Sequence, residues 1–329
     1  MRASLAIGAL VALTASPSSA YLKSGVEAGG LTVLLRWQRL PVRYVVSERP
    51  VPGVTAIQLR DAAARAAGAW QNLATSSIAF EFAGFTAAEA GPADTLSTLG
   101  FRARPDQARV LAQTSYVINN VTGEIVESDI WFNSEFDWSV ATAGESGRFD
   151  VESIAVHELG HMLGLGHSAI GETEMRPGGH SVIAAESVMF PIAFSSGNVE
   201  SRRLRADDIA GASDMYPDGE FQRATGSATG RVLKSGQGVF GAHVVAFSLA
   251  TGKLVANYTL DTNGNFTIAG LDPGRYLLRV EPLDDGETNS YFSNPGRVDV
   301  SFLPKFADRT IVVPEGGTSR SVQIDVQPK

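Results

Sequence analysis

The hydrophobic pattern changes character along the chain, from mixed strand and helix spacing to pure strand spacing. Leu31 to Leu35 and Val42 to Val46 are apolar runs of strand length, with Trp37 between them as a core or edge aromatic. Thr55 is placed to open an alanine-rich helix through about Ala74, with Ile57, Ala64, Ala67 and Trp70 as its buried stripe. Ile78 to Phe82 alternates as a strand does, and a polar, turn-rich stretch follows to about Arg109. Val110 to Thr114 and Tyr116 to Ile118 predict the next strand. Asn120 to Gly123 form a turn, and Glu127 to Phe132 return as the partner. Beyond Pro217 the composition shifts. Residues 218–228 predict a linker, and from Thr229 onward apolar and polar positions alternate, cut by turns every 8–12 positions or so, with no helical pattern.

Chemistry concentrates in His157-Glu158-Leu159-Gly160-His161 and the six residues that follow, ending at His167. His157 and His161 are four apart, so on a helix they share one face and reach one metal ion. Glu158 stands beside the first of them, where its carboxylate holds an activated water rather than the metal. Gly164 lets the backbone turn sharply out of the helix and bring His167 round as a third ligand. Three imidazoles leave one zinc position open, which is the arrangement of a catalytic site. Asp150 is placed to cap this helix.

The motif HExxHxxGxxH is the metzincin signature, and the chain resembles the matrixin branch at further points. Ser168 follows the third histidine, and Ser187-Val188-Met189-Phe190-Pro191 looks like the matrixin Met-turn, which implies that Met189 lies beneath the metal without ligating it. Residues 204–211 through Met215-Tyr216-Pro217 resemble the closing helix. There Asp207 and Asp208 would tie that helix to the Met-turn or to the mature N-terminus. The resemblance covers roughly residues 35–217. It implies an α+β metzincin domain: a twisted, mostly parallel sheet with an antiparallel edge strand, plus helices. Val110, Leu111, Ala112 and Gln113 are the candidate edge that binds extended substrate by β-augmentation, weighed against an ordinary central strand. Glu127 and Asp129 are candidates for a calcium site, weighed against a solvated loop.

Departures from the family also count. His180 and His243 are too few to hold the second, structural zinc of the vertebrate forms. Residues 169–186 are read as an inserted loop near the cleft, with His180 as an exposed loop histidine, weighed against a helper near the cleft. Ala193 stands where the family often has a pocket tyrosine. The tail, 229–329, resembles the carboxypeptidase regulatory-like modules, small all-β transthyretin-like sandwiches. In them Asp261 to Gly264 and Leu271 to Gly274 are turns, and His243 is an ordinary strand residue.

Composition narrows the rest. A formal charge of −8 argues against nucleic-acid or anionic-membrane partners. Met1-Arg2, an apolar run from Leu5 to Ala15 and small residues at Ser18 and Ala20 read as a signal peptide over 1–20. The run of about 11 residues is short of the roughly 20 that span a bilayer. Residues 21–34 form an N-terminal segment, and the mature protein is expected to be extracellular or periplasmic, and a monomer. There is no cysteine, so no cysteine-switch latency is expected. The sequence reading is a secreted zinc endopeptidase acting on protein or peptide, with Glu158 as general base. The alternatives are a non-catalytic binding protein on the same fold, or a zinc amidohydrolase acting on a non-protein substrate.

Overall fold

A computed structural model describes residues 23–28, 31–49, 51, 53–176, 179–283, 288–292 and 295–329. The predicted leader, 1–20, with cleavage before Tyr21, lies outside them, as do Pro177 and Gly178 of the predicted insert.

β1 (Gly25–Ala28) and β2 (Leu31–Leu34) form an antiparallel hairpin. The main sheet follows from β3 (Val42–Ser47), β4 (Phe80–Thr86), β5 (Thr98–Arg102), β6 (Ala112–Ile118) and β7 (Ile125–Asn133), in the order β4-β3-β5-β7-β6. Every neighbouring pair is parallel except β6 with β7, and β6 stands at the sheet edge. Parallel neighbours need a crossover, and α1 (Ala56–Gln71) supplies it between β3 and β4. Thr55 caps α1 in a capping box with Gln58. The short strands β8 (Trp138–Ser139) and β9 (Phe149–Asp150) lead into α2 (Val151–Met162). An antiparallel hairpin of β10 (Gly171–Arg176) and β11 (Gly179–Ala185) comes next, then α3 (Ala206–Met215). The sheet and helices share one core that includes Val46, Leu59, Trp70, Phe132, Leu159 and Met162.

The pattern reading differs from this at three places. The buried stripe of α1 is Leu59, Ala62, Ala63, Ala66, Ala67 and Trp70. Ile57 is 58 % exposed and Ala64 also faces solvent, because alanine fills both faces and leaves the helical phase weakly marked. Strand β5 lies inside the stretch read as turn-rich. Its glycine hid it from the pattern, yet a Cβ on Gly100 would stand 2.7 Å from Ser47 Cβ, so glycine is what lets β5 lie against β3. The insert is a paired hairpin rather than a loop.

The second half begins with α4 (Phe221–Ala224), within the segment read as a linker, and Phe221 is buried. β12 (Gly226–Lys234), β13 (Gln237–Gly238), β14 (His243–Ser248), β15 (Leu254–Tyr258), β16 (Asn265–Leu271) and β17 (Gly274–Glu281) follow. After them come a single helical turn, α5 (Thr288–Tyr291), then β18 (Lys305–Phe306), β19 (Ile311–Val313) and β20 (Val322–Val326). One sheet has β12 between β13 and β16, with β20 parallel to β12. The other runs β15-β14-β17-β18, with β19 also on β17. Val232, Phe266 and Ile268 of the first sheet share a core with Val244, Leu278 and Val280 of the second. The turn α5 breaks the expected all-strand pattern; four residues are too few to show a helical period.

Candidate active site

Helix α2 starts where the Asp150 carboxylate accepts from Ser153 N at 2.8 Å and Ser153 Oγ at 2.7 Å. A cap of this kind contributes about 1 kcal/mol. Arg202 holds the same carboxylate at 2.6 and 2.8 Å. The helix is buried on most sides through Val151, Ala155, Val156 and Leu159, and Trp70 Nε1 donates to the Val156 carbonyl at 2.9 Å. At Gly160 a Cβ would stand 2.3 Å from Met189 Sδ, so glycine lets Met189 seat against the helix. Gly164 takes φ +95°, and a Cβ there would be 2.2 Å from the Leu35 carbonyl oxygen. The chain leaves the helix through this left-handed residue.

That exit brings three imidazoles together. His161 Nε2 is 3.1 Å from His157 Nε2 and 3.2 Å from His167 Nε2. Two ligands about 2.0–2.1 Å from a tetrahedral ion stand roughly 3.3 Å apart, so the donor set fits zinc. Each Nδ1 faces a backbone carbonyl: His157 that of Val188 at 2.7 Å, His161 that of Leu165 at 2.8 Å, and His167 that of Ser290 at 2.7 Å. A proton on each Nδ1 leaves each Nε2 lone pair for the common point. Burial pushes His157 down to about 3, with His167 adding to the effect, and lowers His161 and His167 as well. The neutral form that ligates metal is therefore the favoured one.

Glu158 is 4 % exposed. Its Oε2 accepts from Thr114 Oγ1 at 2.6 Å. Burial raises the carboxyl to about 7, although the Thr114 bond pulls the other way. Thr114 lies on the edge strand β6, where no motif marks it. The same strand sends Tyr116 OH to the His161 carbonyl at 2.5 Å.

A cleft of about 840 Å³ opens over these groups. Val110 and Leu111 lie just before β6, Ala112 and Gln113 begin it, and all four line the cleft. Val188, Phe190, Pro191 and Ala193 line it too. Met189 is buried, and Asp208 holds its turn by accepting from Ser187 Oγ at 2.6 Å, Val188 N at 3.0 Å and Met189 N at 3.3 Å. Asp207 takes a different partner set: Ser168 Oγ at 2.7 Å and, from the second half of the chain, Ala256 N at 2.9 Å. His180 is half-buried on β11 and lines the cleft, not an exposed loop. His243 is buried on β14 with Nδ1 3.1 Å from Glu281 Oε1.

Glu127 and Asp129 are buried strand residues rather than members of a solvated loop. Glu127 accepts from Asp94 N and Thr95 N, and Asp129 from Gly91 N and Thr98 N. They fasten the 91–98 loop to the sheet. Burial raises both, Asp129 to about 7.

Residues 36–217 match the model of the matrixin peptidase family, which is more than half of the chain. The chain belongs to the matrixins. Residues 227–327 of this matrixin match the carboxypeptidase regulatory-like domain. Among relatives, it is 34 % identical over 94 residues to metalloendoproteinase 5-MMP of Arabidopsis thaliana, covering 26 % of this chain and 22 % of that one. To human matrix metalloproteinase-25 it is 30 % identical over 121 residues, covering 34 % and 19 %. The match thus spans about a fifth of the length of these relatives. Among solved structures, the Bacillus anthracis TIE protein overlaps 32 % of this chain and 17 % of its own at 14 % identity, with a TM-score of only 0.22. Among the described residues, no helix is long and apolar enough to cross a membrane.

Proposed function

We propose that this matrixin is an exported zinc-dependent endopeptidase, with His157, His161 and His167 holding the metal and Glu158 acting as general base. The observation that carries the reading is the convergence of three imidazoles in the cleft, with His161 Nε2 3.1 and 3.2 Å from its two partners, beside a buried carboxylate. Zinc bound there supplies a Lewis acid that activates water and polarises a carbonyl. Glu158 takes the proton released as water adds to the scissile carbonyl carbon and delivers it to the leaving nitrogen. A carboxyl raised toward 7 suits both transfers near neutral pH. Met189 and the Asp208 anchor fix the floor that carries the Val188 carbonyl. The edge strand β6 offers extended peptide a main-chain ladder, with Val110 to Gln113 at its entrance. The metzincin fold, the transthyretin-like character of the tail and the 35–217, 218–228 and 229–329 partition belong to the same reading. The signal-like residues 1–20 support export to the extracellular space or periplasm.

The test is digestion of casein by the purified protein, with mass spectrometry of the products. Internal cleavage that stops on chelation and returns with added zinc is expected. An intact substrate in the presence of bound zinc would refute the endopeptidase reading.

A further inference from the structure

Two of the three histidines are oriented from within the matrixin domain, and the third is not. His157 and His161 face the carbonyls of Val188 and Leu165, whereas His167 Nδ1 lies 2.7 Å from the carbonyl of Ser290, on α5 of the β-rich domain. The ring of Tyr291 meets His167 edge-on, with centroids 6.5 Å apart at 84°. The same turn lines the substrate cleft with Asn289, Ser290, Tyr291 and Phe292.

The turn is anchored. Tyr291 and Phe292 are buried with Tyr258 and Leu283, and Phe292 packs on the rings of Tyr258 and Phe240 at 5.4 and 5.8 Å. Asn289 and Ser290 remain exposed on the side toward the cleft. The β-rich domain also packs on Ala169 and Ile170 after the third histidine, and reaches Ser168 through Asp207. Ser168 is bound by Asp207, which accepts from Ala256 N. Ala169 packs against the aromatic cluster of Tyr258, and Ile170 is buried with Val245 and Ala256. Beneath them Ala210 of α3 sits in the core of the second domain, close enough to Gly270 that a Cβ there would be 2.8 Å from Ala210 Cβ.

We propose that the β-rich domain is a working part of the active site: α5 positions His167 through the Ser290 carbonyl, and Asn289 with Ser290 forms a neutral polar wall that selects the substrate side chain lying against it. This rests on the reading of the chain as a zinc endopeptidase. Ser290 is a positioning residue, since its backbone acts through His167. Groups that orient metal-bound histidines typically change metal affinity by about 10–100-fold when lost. A single charge placed on the wall should change the preferred side chain at one subsite and no other.

The test uses the full chain. Replacing residues 288–292 by glycine and serine should weaken zinc about 10-fold or more in competition with a chromophoric chelator. Asn289→Lys and Asn289→Asp, at an exposed position, should fold and hold zinc as the wild type does. In a peptide-library digest they should shift one subsite, toward acidic and basic residues respectively, by about 5-fold or more. Wild-type zinc affinity in the 288–292 replacement together with an unchanged cleavage profile in both Asn289 variants would overturn the proposal while leaving the endopeptidase intact. A wild type that binds zinc but cuts no peptide would remove the underlying reading and the wall with it.

Discussion

Thr114 and Asp129 show how single hydrogen bonds and single burials set the chemistry of this molecule. The Thr114 hydroxyl favours the charged form of Glu158, so its loss raises the carboxyl further and leaves less base at neutral pH. Thr114→Val is expected to lower kcat/KM about 10-fold at pH 7 with zinc retained. The acid limb of the pH profile should move upward, and Thr114→Ser should restore it. An unchanged profile would remove Thr114 from the site. At Asp129 burial outweighs two amide hydrogen bonds and raises the carboxyl to about 7, against about 4 in the unfolded chain. The folded state therefore keeps a proton that the unfolded state has lost between those values, and stability falls as pH rises through that window. In Asp129→Asn this dependence is missing. Urea titrations from pH 4 to 8 should show the wild type losing on the order of 2 kcal/mol relative to the variant; a constant difference would contradict the assignment.

At the level of elements, the decisive feature is the helix exit. Gly164→Ala would force a left-handed φ on alanine and drive its Cβ into the Leu35 carbonyl oxygen. A loss of roughly 2 kcal/mol or more in unfolding free energy, read from urea denaturation, is expected, with weakened zinc retention because His167 depends on that turn. A fully stable, zinc-loaded variant would show that the exit tolerates other geometries. This part of the site is legible in sequence because the ligand spacing, the glycine and the Asp150 cap all lie within one short segment. Thr114 is not, since it meets Glu158 from a strand 44 positions away and belongs to no motif. The short β5 was hidden by Gly100 and by its polar neighbours, although the edge position of β6 follows from where β5 and β7 lie. The buried face of α1 is weakly marked in sequence because alanines on both sides carry little phase. Turn α5 leaves no trace in a region of strand alternation, so the contact of the second domain with His167 is not legible in the sequence.

On the scale of the whole molecule, a matrixin domain and a β-rich domain meet directly behind the third histidine. Asp207 binds across the junction while its neighbour Asp208 anchors the Met-turn. One helix end thus couples the metal floor to the second domain. The cleft is lined by β6, by residues 190–193 and, from the second domain, by α5. All of this serves one proposed event, proton transfer by Glu158 at a zinc held by three imidazoles. The most direct measurement is hydrolysis of a quenched peptide library by the wild type and by Glu158→Ala, with zinc assayed in both. Loss of about 10²–10⁴-fold in kcat/KM at equal zinc content is predicted. Equal activity in the two proteins would contradict the account.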